Sequence, residues 1–332
     1  MPSHVALAAG PDPLLILFLA LVLDAYVGDP PLVYRVIPHP LAVMGRLAAG
    51  LTRRLDRPQR SDATRRARGF LGAVVLMVLG LAGGAVLGAV FAAVPFGWLA
   101  EVAVVTTLVK QRQVYLSGRR IETALVAGGP VAGAEAVRAV LGRDPGRLDA
   151  HAVARRALEH VAEGLATGVV AAAFWYALLG LAGLIAFWMV RALALAAAEP
   201  HTPAFTAGAM RLGRAVSLPP AYLAGLMIAA AACFIPAGAP LRALTAMHRD
   251  AAGYRTPAAG FPVAAMAGAL GVALGGPRRY GETVRVEPWV GTGRARATPG
   301  DIRRGLYVFA VACLIDAGIV AGLALARHAG GG

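Results

Sequence analysis

Long apolar stretches, separated by polar and basic segments, are the dominant pattern of this 332-residue chain. A helix needs about 20 mostly apolar residues to cross the hydrocarbon of a bilayer. The candidate spans are Pro13 to Val27, Gly69 to Pro95, Trp98 to Leu116, Leu165 to Ala198, Ala221 to Ile235 and Gly305 to Ala326. The pattern predicts an all-α fold, a polytopic transmembrane helical bundle of about five or six spans with cytoplasmic helical loops. We expect residues 1–332 to form a single integral membrane domain.

Charges make the third and fourth spans less clear, and the second span is rich in glycine. Glu101 and Lys110 make the third span marginal, and Arg191 interrupts the fourth. Small residues in the second span suit close helix packing in lipid, namely Gly80, Gly83, Gly84 and Gly88. No Lys or Arg precedes Pro13, and no small-residue cleavage site follows Val27, so the first stretch is interpreted as a retained span rather than a signal peptide.

The composition agrees with a membrane protein. Hydrophobic residues make up 58% of the chain and charged residues only 15%, yet the formal net charge is +14. The basic charge is almost all Arg, gathered in segments 46–68, 119–156 and 278–304, and these are expected on the cytoplasmic face of the inner membrane. Segment 191–214 then falls outside or forms a re-entrant hairpin. No basic helix is interleaved with aromatic residues, so we expect no nucleic-acid partner.

Several common kinds of site are excluded by composition. Cys233 and Cys313 are the only cysteines, and both lie in apolar spans, which excludes a disulfide framework or a thiolate metal site. Lys110 is the only lysine, and its surroundings are not those of a Walker A loop. Asn is absent from the whole chain.

The first polar segment with candidate chemistry follows the first span. It contains Asp24, Asp29, His39 and Arg46. Asp24 lies in or at the edge of an apolar span, where an ionisable group is costly and is a candidate for function. The alternative is that Asp24 and Asp29 only mark the water interface.

The second segment runs from Arg143-Asp144 into a helical stretch with Arg155, Glu159 and Glu163. Residues four apart share one face of a helix, so these last three line up. Two carboxylates so placed could bind Mg²⁺ or transfer protons. Taken alone, however, the spacing favours an ordinary solvated face with ion pairs.

The third and fourth segments lie close together near residue 270. One contains Tyr254, and the other contains Gly275 and Gly276 followed by Arg278, Arg279 and Tyr280. Glycine allows backbone N–H groups to approach an anion, and the arginines would add positive charge. These residues are therefore candidates for holding a phosphate group.

In this order, the polar segments resemble the CobD/CbiB family, the adenosylcobinamide-phosphate synthases of cobalamin biosynthesis. The resemblance rests on Leu23-Asp24, Gly28-Asp29-Pro30, Pro38-His39-Pro40, Gly45-Arg46, Gly142-Arg143-Asp144, the Arg156 to Glu163 helix, Tyr254 to Pro262, Ala265 to Gly271, Gly275-Gly276-Pro277, Tyr280-Gly281, Pro288-Trp289, Gly291 and Asp301-Ile302. It covers nearly the whole chain.

The resemblance implies a membrane enzyme that joins adenosylcobyric acid to an aminopropanol, or to its phosphate, by an ATP-dependent amide bond. It implies ATP and Mg²⁺ as cofactors, with Glu159, Glu163 and Asp144 as catalytic residues and Glu159 and Glu163 on the metal. The substrate or its phosphate would be held by Asp24, Asp29, His39, Arg46, Arg143, Tyr254, Gly275, Gly276, Arg278, Arg279 and Tyr280. The implied partners are membrane lipid, the corrinoid and amino-alcohol substrates, and other proteins of the corrinoid pathway.

The chain departs from the family at several polar positions. The family's Ala-Glu-Asn-Thr-x-Asp-Gly stretch falls on Ala162 to Gly168, where the Asn and the Asp are lost, and its Asn-Thr-Leu-Asp element falls on Arg191 to Ala194. A carboxylate replaced by Gly or Ala cannot bind a metal. A non-catalytic membrane partner or corrinoid-binding subunit is therefore the alternative, and a transporter using Asp24, Arg191 and Asp316 is a third hypothesis.

Overall fold

The computed structural model describes residues 11–28, 38–57, 59–142, 148–196, 203–280, 283–285 and 287–330, with residues 257, 278–280 and 283–285 described by their backbone alone. The described part of the chain is mostly helical, as predicted. The α-helices are α1 (Pro13–Tyr26), α2 (Pro40–Leu55), α3 (Asp62–Ala93), α4 (Gly97–Leu108), α5 (Gln111–Leu141), α6 (Ala150–Gly164), α7 (Ala171–Ala196), α8 (Pro203–Ala231), α9 (Pro240–Asp250), α10 (Pro257–Leu270) and α11 (Pro299–Gly330).

Five helical stretches in the described part of the chain are long and apolar enough to cross a membrane. They are Asp62–Ala93, Gly97–Leu141, Ala150–Ala196, Pro203–Phe234 and Pro299–Gly330. This confirms a multi-pass helical membrane protein with a span number inside the predicted range. The first predicted span forms α1, but this helix has 14 residues and is shorter than a full crossing requires.

The third, fourth and fifth predicted spans differ most from the observed helices. The third predicted span breaks at Val109, whose backbone is extended, so α4 ends and α5 begins inside it. The fourth begins as a π-helical turn, Leu165–Val170, and α7 is kinked at Gly180. The fifth starts 18 residues earlier than predicted, because α8 continues through Pro219 and Pro220. Neighbouring helices and local adjustments make prolines tolerable inside membrane helices.

The chain divides into two compact units. The first unit contains residues 1–110, 171–217 and 319–332, and the second contains residues 111–170 and 218–318. Both α8 and α11 contribute to each unit. The single domain expected over residues 1–332 stays a prediction.

In the first unit, α3 lies against α7 at glycines. A side chain at Gly80 would meet the backbone of Ala186, and one at Gly84 would meet that of Ala182, so these glycines permit the close approach that the sequence predicted. Gly83 and Gly88 face open space instead. The indole of Trp188 on α7 donates to the carbonyl of Leu108 at 3.0 Å, which ties the end of α4 to α7.

In the second unit, α5 pairs with α6, and α9 pairs with α10. Among the described residues between α10 and α11, the all-α prediction missed four short strands. They are β1 (Leu274–Gly275), β2 (Arg278–Tyr280), β3 (Thr283–Arg285) and β4 (Trp289–Val290), with β1 antiparallel to β4 and β2 antiparallel to β3. The outer ladder places Gly275 opposite Trp289. We call this β1–β4 pair the hairpin. In the hairpin, the glycine-rich segment lies against α6.

Candidate active site

The carboxylates predicted for chemistry lie on α6. The side chain of Asp149 caps this helix by accepting from the N–H of Ala152 at 2.6 Å. The helix is unbroken from Ala150 to Gly164, so the predicted alignment of Arg155, Glu159 and Glu163 on one face is confirmed.

Glu159 is buried, with 3% of its surface exposed. Its Oε1 accepts the backbone N–H of Gly275 at 2.8 Å, and its Oε2 lies 3.7 Å from a guanidinium nitrogen of Arg156. The interpretation of this helix face as fully solvated is therefore wrong at Glu159, because the β1–β4 hairpin covers it. A buried carboxylate must be paired or hydrogen-bonded, and both kinds of partner are present.

The two glycines predicted to approach an anion have left-handed backbones. Gly275 has φ +73° and Gly276 has φ +76°, a region that side-chain-bearing residues rarely adopt. A Cβ on Gly275 would lie 2.7 Å from the carbonyl oxygen of Pro288. The N–H of Gly275 serves Glu159, and that of Gly276 donates to Pro288 at 3.2 Å. In this structure both N–H groups therefore serve protein acceptors, and phosphate binding at these glycines stays a prediction.

Glu163 lies one turn beyond Glu159 and is held by two neighbouring residues from the loop before α10. Its Oε1 accepts from the phenol of Tyr254 at 2.9 Å and from the guanidinium of Arg255 at 2.6 Å. The same guanidinium reaches the Tyr254 hydroxyl at 2.8 Å and lies over the Tyr254 ring, 5.0 Å from its centre. The Glu163 side chain keeps 31% of its surface exposed, so this carboxylate is fixed in position and open to a ligand.

Burial determines the ionisation of Tyr254. The residue is only 5% exposed, and burial raises the pKa of its phenol well above the ordinary value of 10, with the charges of Glu159 and Glu163 adding to the effect. The phenol is therefore a permanent hydrogen-bond donor to Glu163 at physiological pH.

Arg155 and Trp289 close the side of α6 that faces the hairpin. The Arg155 guanidinium lies 5.3 Å from the centre of the Trp289 ring and donates to the carbonyl of Ala295 at 2.7 Å. The backbone N–H of Gly291 donates to Asp250 at 2.8 Å, and Asp250 is also paired with Arg249. The Arg249 hydrogen bonds keep the pKa of Asp250 below its ordinary value. These contacts fix the hairpin against α6 and the end of α9.

Of the predicted ligand-binding residues in the first unit, the structure describes three. Asp24 is buried on α1, with 2% of its surface exposed, and its role in ligand binding stays a prediction. His39 caps α2, because its Nδ1 accepts from the N–H of Leu41 at 3.1 Å, and its Nε2 lies 3.1 Å from the Lys110 amine. Arg46 is exposed on α2.

The remaining predicted residues fall where the structure gives no side-chain description. Asp29, Arg143 and Asp144 lie outside the described residues, and Arg278, Arg279 and Tyr280 are described only as the backbone of β2. Their predicted roles in phosphate binding and catalysis stay predictions.

The described residues do not by themselves fit a Mg²⁺ centre. They contain no group of three His, Cys, Asp or Glu side chains placed to hold a metal ion. Glu159 and Glu163 instead accept N–H, O–H and guanidinium donors. The arrangement suits binding and orientation of a charged substrate more directly than a resident metal.

Arg255 and Trp289 were not predicted as site residues. Arg255 directly follows Tyr254 in a polar segment, and this adjacency is the signal that was available. Trp289 belongs to the Pro288-Trp289 element of the family resemblance, but its position beside Arg155 depends on the pairing of β1 with β4.

The structure defines the class of protein as a multi-pass helical membrane protein with paired carboxylates on a helix, covered by a glycine hairpin. Comparison with known proteins agrees with this class. The model for the family described as CobD/Cbib protein matches residues 17–309. The chain therefore belongs to the CobD/CbiB family.

Several curated relatives span almost the same length. The chain is 40% identical to "Cobalamin biosynthesis protein CobD" of Sinorhizobium sp, over 94% of this chain and 98% of the relative. It is 38% identical to the protein of that name from Rhizobium meliloti, covering 91% and 94% of the two chains, and 36% identical to that of Rhodobacter capsulatus, covering 87% and 90%. No solved structure gives a significant match.

Proposed function

We propose that the protein is an amide ligase of the inner membrane in cobalamin biosynthesis, joining adenosylcobyric acid to an aminopropanol or its phosphate with ATP. The observation that carries the proposal is the position of Glu163, partly exposed and fixed by Tyr254 and Arg255 one helical turn from buried Glu159. The membership of the CobD/CbiB family and the names of the curated relatives support the pathway.

The proposed role of Glu163 is to hold the amine. An aminopropanol carries a positive ammonium group in water, and it must lose a proton before its nitrogen can attack a carbonyl carbon. A partly exposed carboxylate can pair with the ammonium and accept that proton. Because Tyr254 and Arg255 fix one oxygen of Glu163, the carboxylate is oriented before the amine arrives.

The neighbouring arginines supply positive charge for the acidic reactants. Arg156 lies beside Glu159, and Arg255 keeps 42% of its side chain exposed. A guanidinium binds carboxylate and phosphate oxygens through paired N–H groups. We assign Arg255 to the corrinoid carboxylate or to the phosphate of the amine substrate.

ATP and Mg²⁺ remain part of this proposal. An amine and a carboxylate do not condense in water unless the carboxylate oxygen becomes a leaving group, and ATP supplies that activation. Mg²⁺ in nucleotide enzymes is usually bound by one or two carboxylates together with substrate phosphates. The family resemblance assigns Glu159, Glu163 and Asp144 to this ion. Because Glu159 and Glu163 accept protein donors in this structure, we propose that the ion enters with the nucleotide and is not a resident metal.

A non-catalytic corrinoid-binding subunit, working with other proteins of the pathway, is the second candidate function. It is favoured by the end of α6 and the turn that follows, Leu165–Val170. The resemblance places a lost Asn at Gly164 and a lost Asp at Thr167. Thr167 provides the only polar side chain in the turn, and its hydroxyl donates to the backbone carbonyl of Glu163 at 2.8 Å. This turn therefore offers no carboxylate to a metal or a nucleotide.

Complementation separates the two functions. A bacterial strain lacking its own adenosylcobinamide-phosphate synthase would express this protein and receive cobyric acid as the corrinoid source, with cobinamide as the bypass control. The ligase proposal predicts growth on both. Growth on cobinamide alone, with the protein confirmed in the membrane, would overturn the ligase proposal.

A further inference from the structure

A strongly basic pocket lies in the first unit, where α2 ends and α3 begins. Its volume is about 770 Å³, and it is lined by four arginines, Arg54, Arg57, Arg60 and Arg68, together with Leu55, Gln59 and Leu71. None of these residues belongs to the sequence motifs or to the candidate active site.

The charge of this pocket is not neutralised by the acidic residues around it. Asp56 and Asp62 are the nearby carboxylates, and both pair with Arg65, at 2.7 Å and 3.8 Å. Within the described residues, none of the four lining arginines forms an ion pair. Arg57 and Arg68 reach only backbone carbonyls, those of Arg54 and Leu55. Arg65 and the four lining arginines outnumber these two carboxylates by three, so the pocket carries a local surplus of three positive charges.

One side of the pocket is apolar and belongs to the membrane-crossing part of α3. Arg68 is the last charged residue before an uncharged stretch that continues to Ala93. Phe70 and Leu71 are 44% and 55% exposed, and large exposed apolar side chains continue along the helix at Val75, Val78, Leu79, Val86 and Val90. This exposed face is the one that contacts lipid. Leu71 belongs to both the face and the pocket, so the pocket lies at the boundary between headgroups and hydrocarbon.

We propose that this pocket binds an anionic phospholipid, with its phosphate among Arg54, Arg57, Arg60 and Arg68 and an acyl chain along Leu71 and the exposed face of α3. A guanidinium matches the oxygens of a phosphate through two parallel N–H donors. A soluble phosphate compound would use the arginines but leave the apolar side without a partner, and the lipid satisfies both. The inference does not depend on the proposed ligase function.

The test is lipid binding by the full-length protein. Purified protein in a neutral detergent would be titrated with phosphatidylglycerol and, separately, with phosphatidylcholine, and bound lipid counted by native mass spectrometry. Arg54→Gln and Arg60→Gln each remove one lining charge. Arg66→Gln is the matched control, because Arg66 is exposed like Arg54 and Arg60 but lies on α3 outside the pocket lining.

We expect Arg54→Gln and Arg60→Gln to weaken phosphatidylglycerol binding about fivefold each, while Arg66→Gln and all phosphatidylcholine binding stay unchanged. An equal loss in Arg66→Gln would overturn the proposal, since diffuse attraction would then explain the binding. Unchanged affinity in both lining variants would overturn it as well. A competition experiment with ATP and with inorganic phosphate tests for a soluble ligand. If either compound binds and loses affinity in Arg60→Gln, while phosphatidylglycerol does not bind, the lipid site is contradicted.

Discussion

The carboxylate of Glu159 accepts a hydrogen bond from the backbone N–H of Gly275, 2.8 Å away and 116 positions later in the chain. This contact joins α6 to the β1–β4 hairpin. It gives a buried charge an N–H donor, and it makes the backbone conformation of one glycine important for the whole site.

Gly275→Ala is expected to destabilise the protein by roughly 1–3 kcal/mol and to lower activity. The positive φ disfavours a side chain, and a Cβ would lie 2.7 Å from the carbonyl oxygen of Pro288. Thermal unfolding in detergent and a ligase assay measure the two effects. Gly253→Ala is the control, since a Cβ there would make only an ordinary contact with Pro288, at 3.8 Å. Equal stability of both variants would refute this role for Gly275.

Tyr254→Phe is expected to change the alkaline pH dependence of stability. Because the folded state raises the pKa of this phenol above 10, ionisation near pH 10 occurs in the unfolded chain alone. Stability is therefore fully present below pH 10 and falls as pH rises further, by up to about 1.4 kcal/mol per pH unit from this group.

The measurement for Tyr254 is the slope of thermal stability against pH between neutrality and pH values above 10. The Phe variant should lack the contribution of this phenol and show the shallower alkaline slope. At neutral pH it should lose about 1.5–3 kcal/mol, the value of a hydrogen bond to a charged group. Identical slopes for the two proteins would show that the Tyr254 phenol does not resist ionisation.

Gly80→Leu is expected to weaken the contact of α3 with α7, with a cost of about 1–3 kcal/mol or more. A side chain at Gly80 would run into the backbone of Ala186, and overpacking forces backbones apart. Gly83→Leu should be tolerated, because Gly83 lies on the same helix and faces open space. Detergent-solubilised yield and thermal stability would compare the two variants. A Gly83→Leu loss as large as that of Gly80→Leu would argue against this packing.

The sequence was sufficient for the helices and for the alignment of residues along α6. The length of an apolar stretch predicts whether a helix can cross the membrane. The 3.6-residue period of the helix places Glu159 and Glu163 on one face. Small residues likewise predicted close packing in α3, although only Gly80 and Gly84 of the four glycines meet α7. The glycines at the contact are those at the point where α3 crosses α7. Residues of both helices determine where that point lies.

The burial of Glu159 could not be predicted from its neighbours. The sequence of α6 alone is typical of a solvated helix. Glu159 is buried by the β1–β4 hairpin, which lies more than a hundred residues later in the chain. That hairpin is itself hard to recognise, because β1 and β4 have two residues each and are held by a ladder rather than by any long alternating pattern. Arg255 was missed for a related reason, since a surface arginine acquires its role only when Glu163 lies opposite it.

The most direct test of the central claim compares the turnover of Glu163→Gln with that of Glu135→Gln in membranes supplied with adenosylcobyric acid, aminopropanol phosphate and ATP. Glu135 is an exposed carboxylate of α5 in the same unit and receives the same substitution. If Glu163 accepts the proton of the amine, its variant should lose about 100-fold or more in kcat, while Glu135→Gln matches the unaltered protein. Turnover of Glu163→Gln at the unaltered rate would contradict the assignment of the active site to α6.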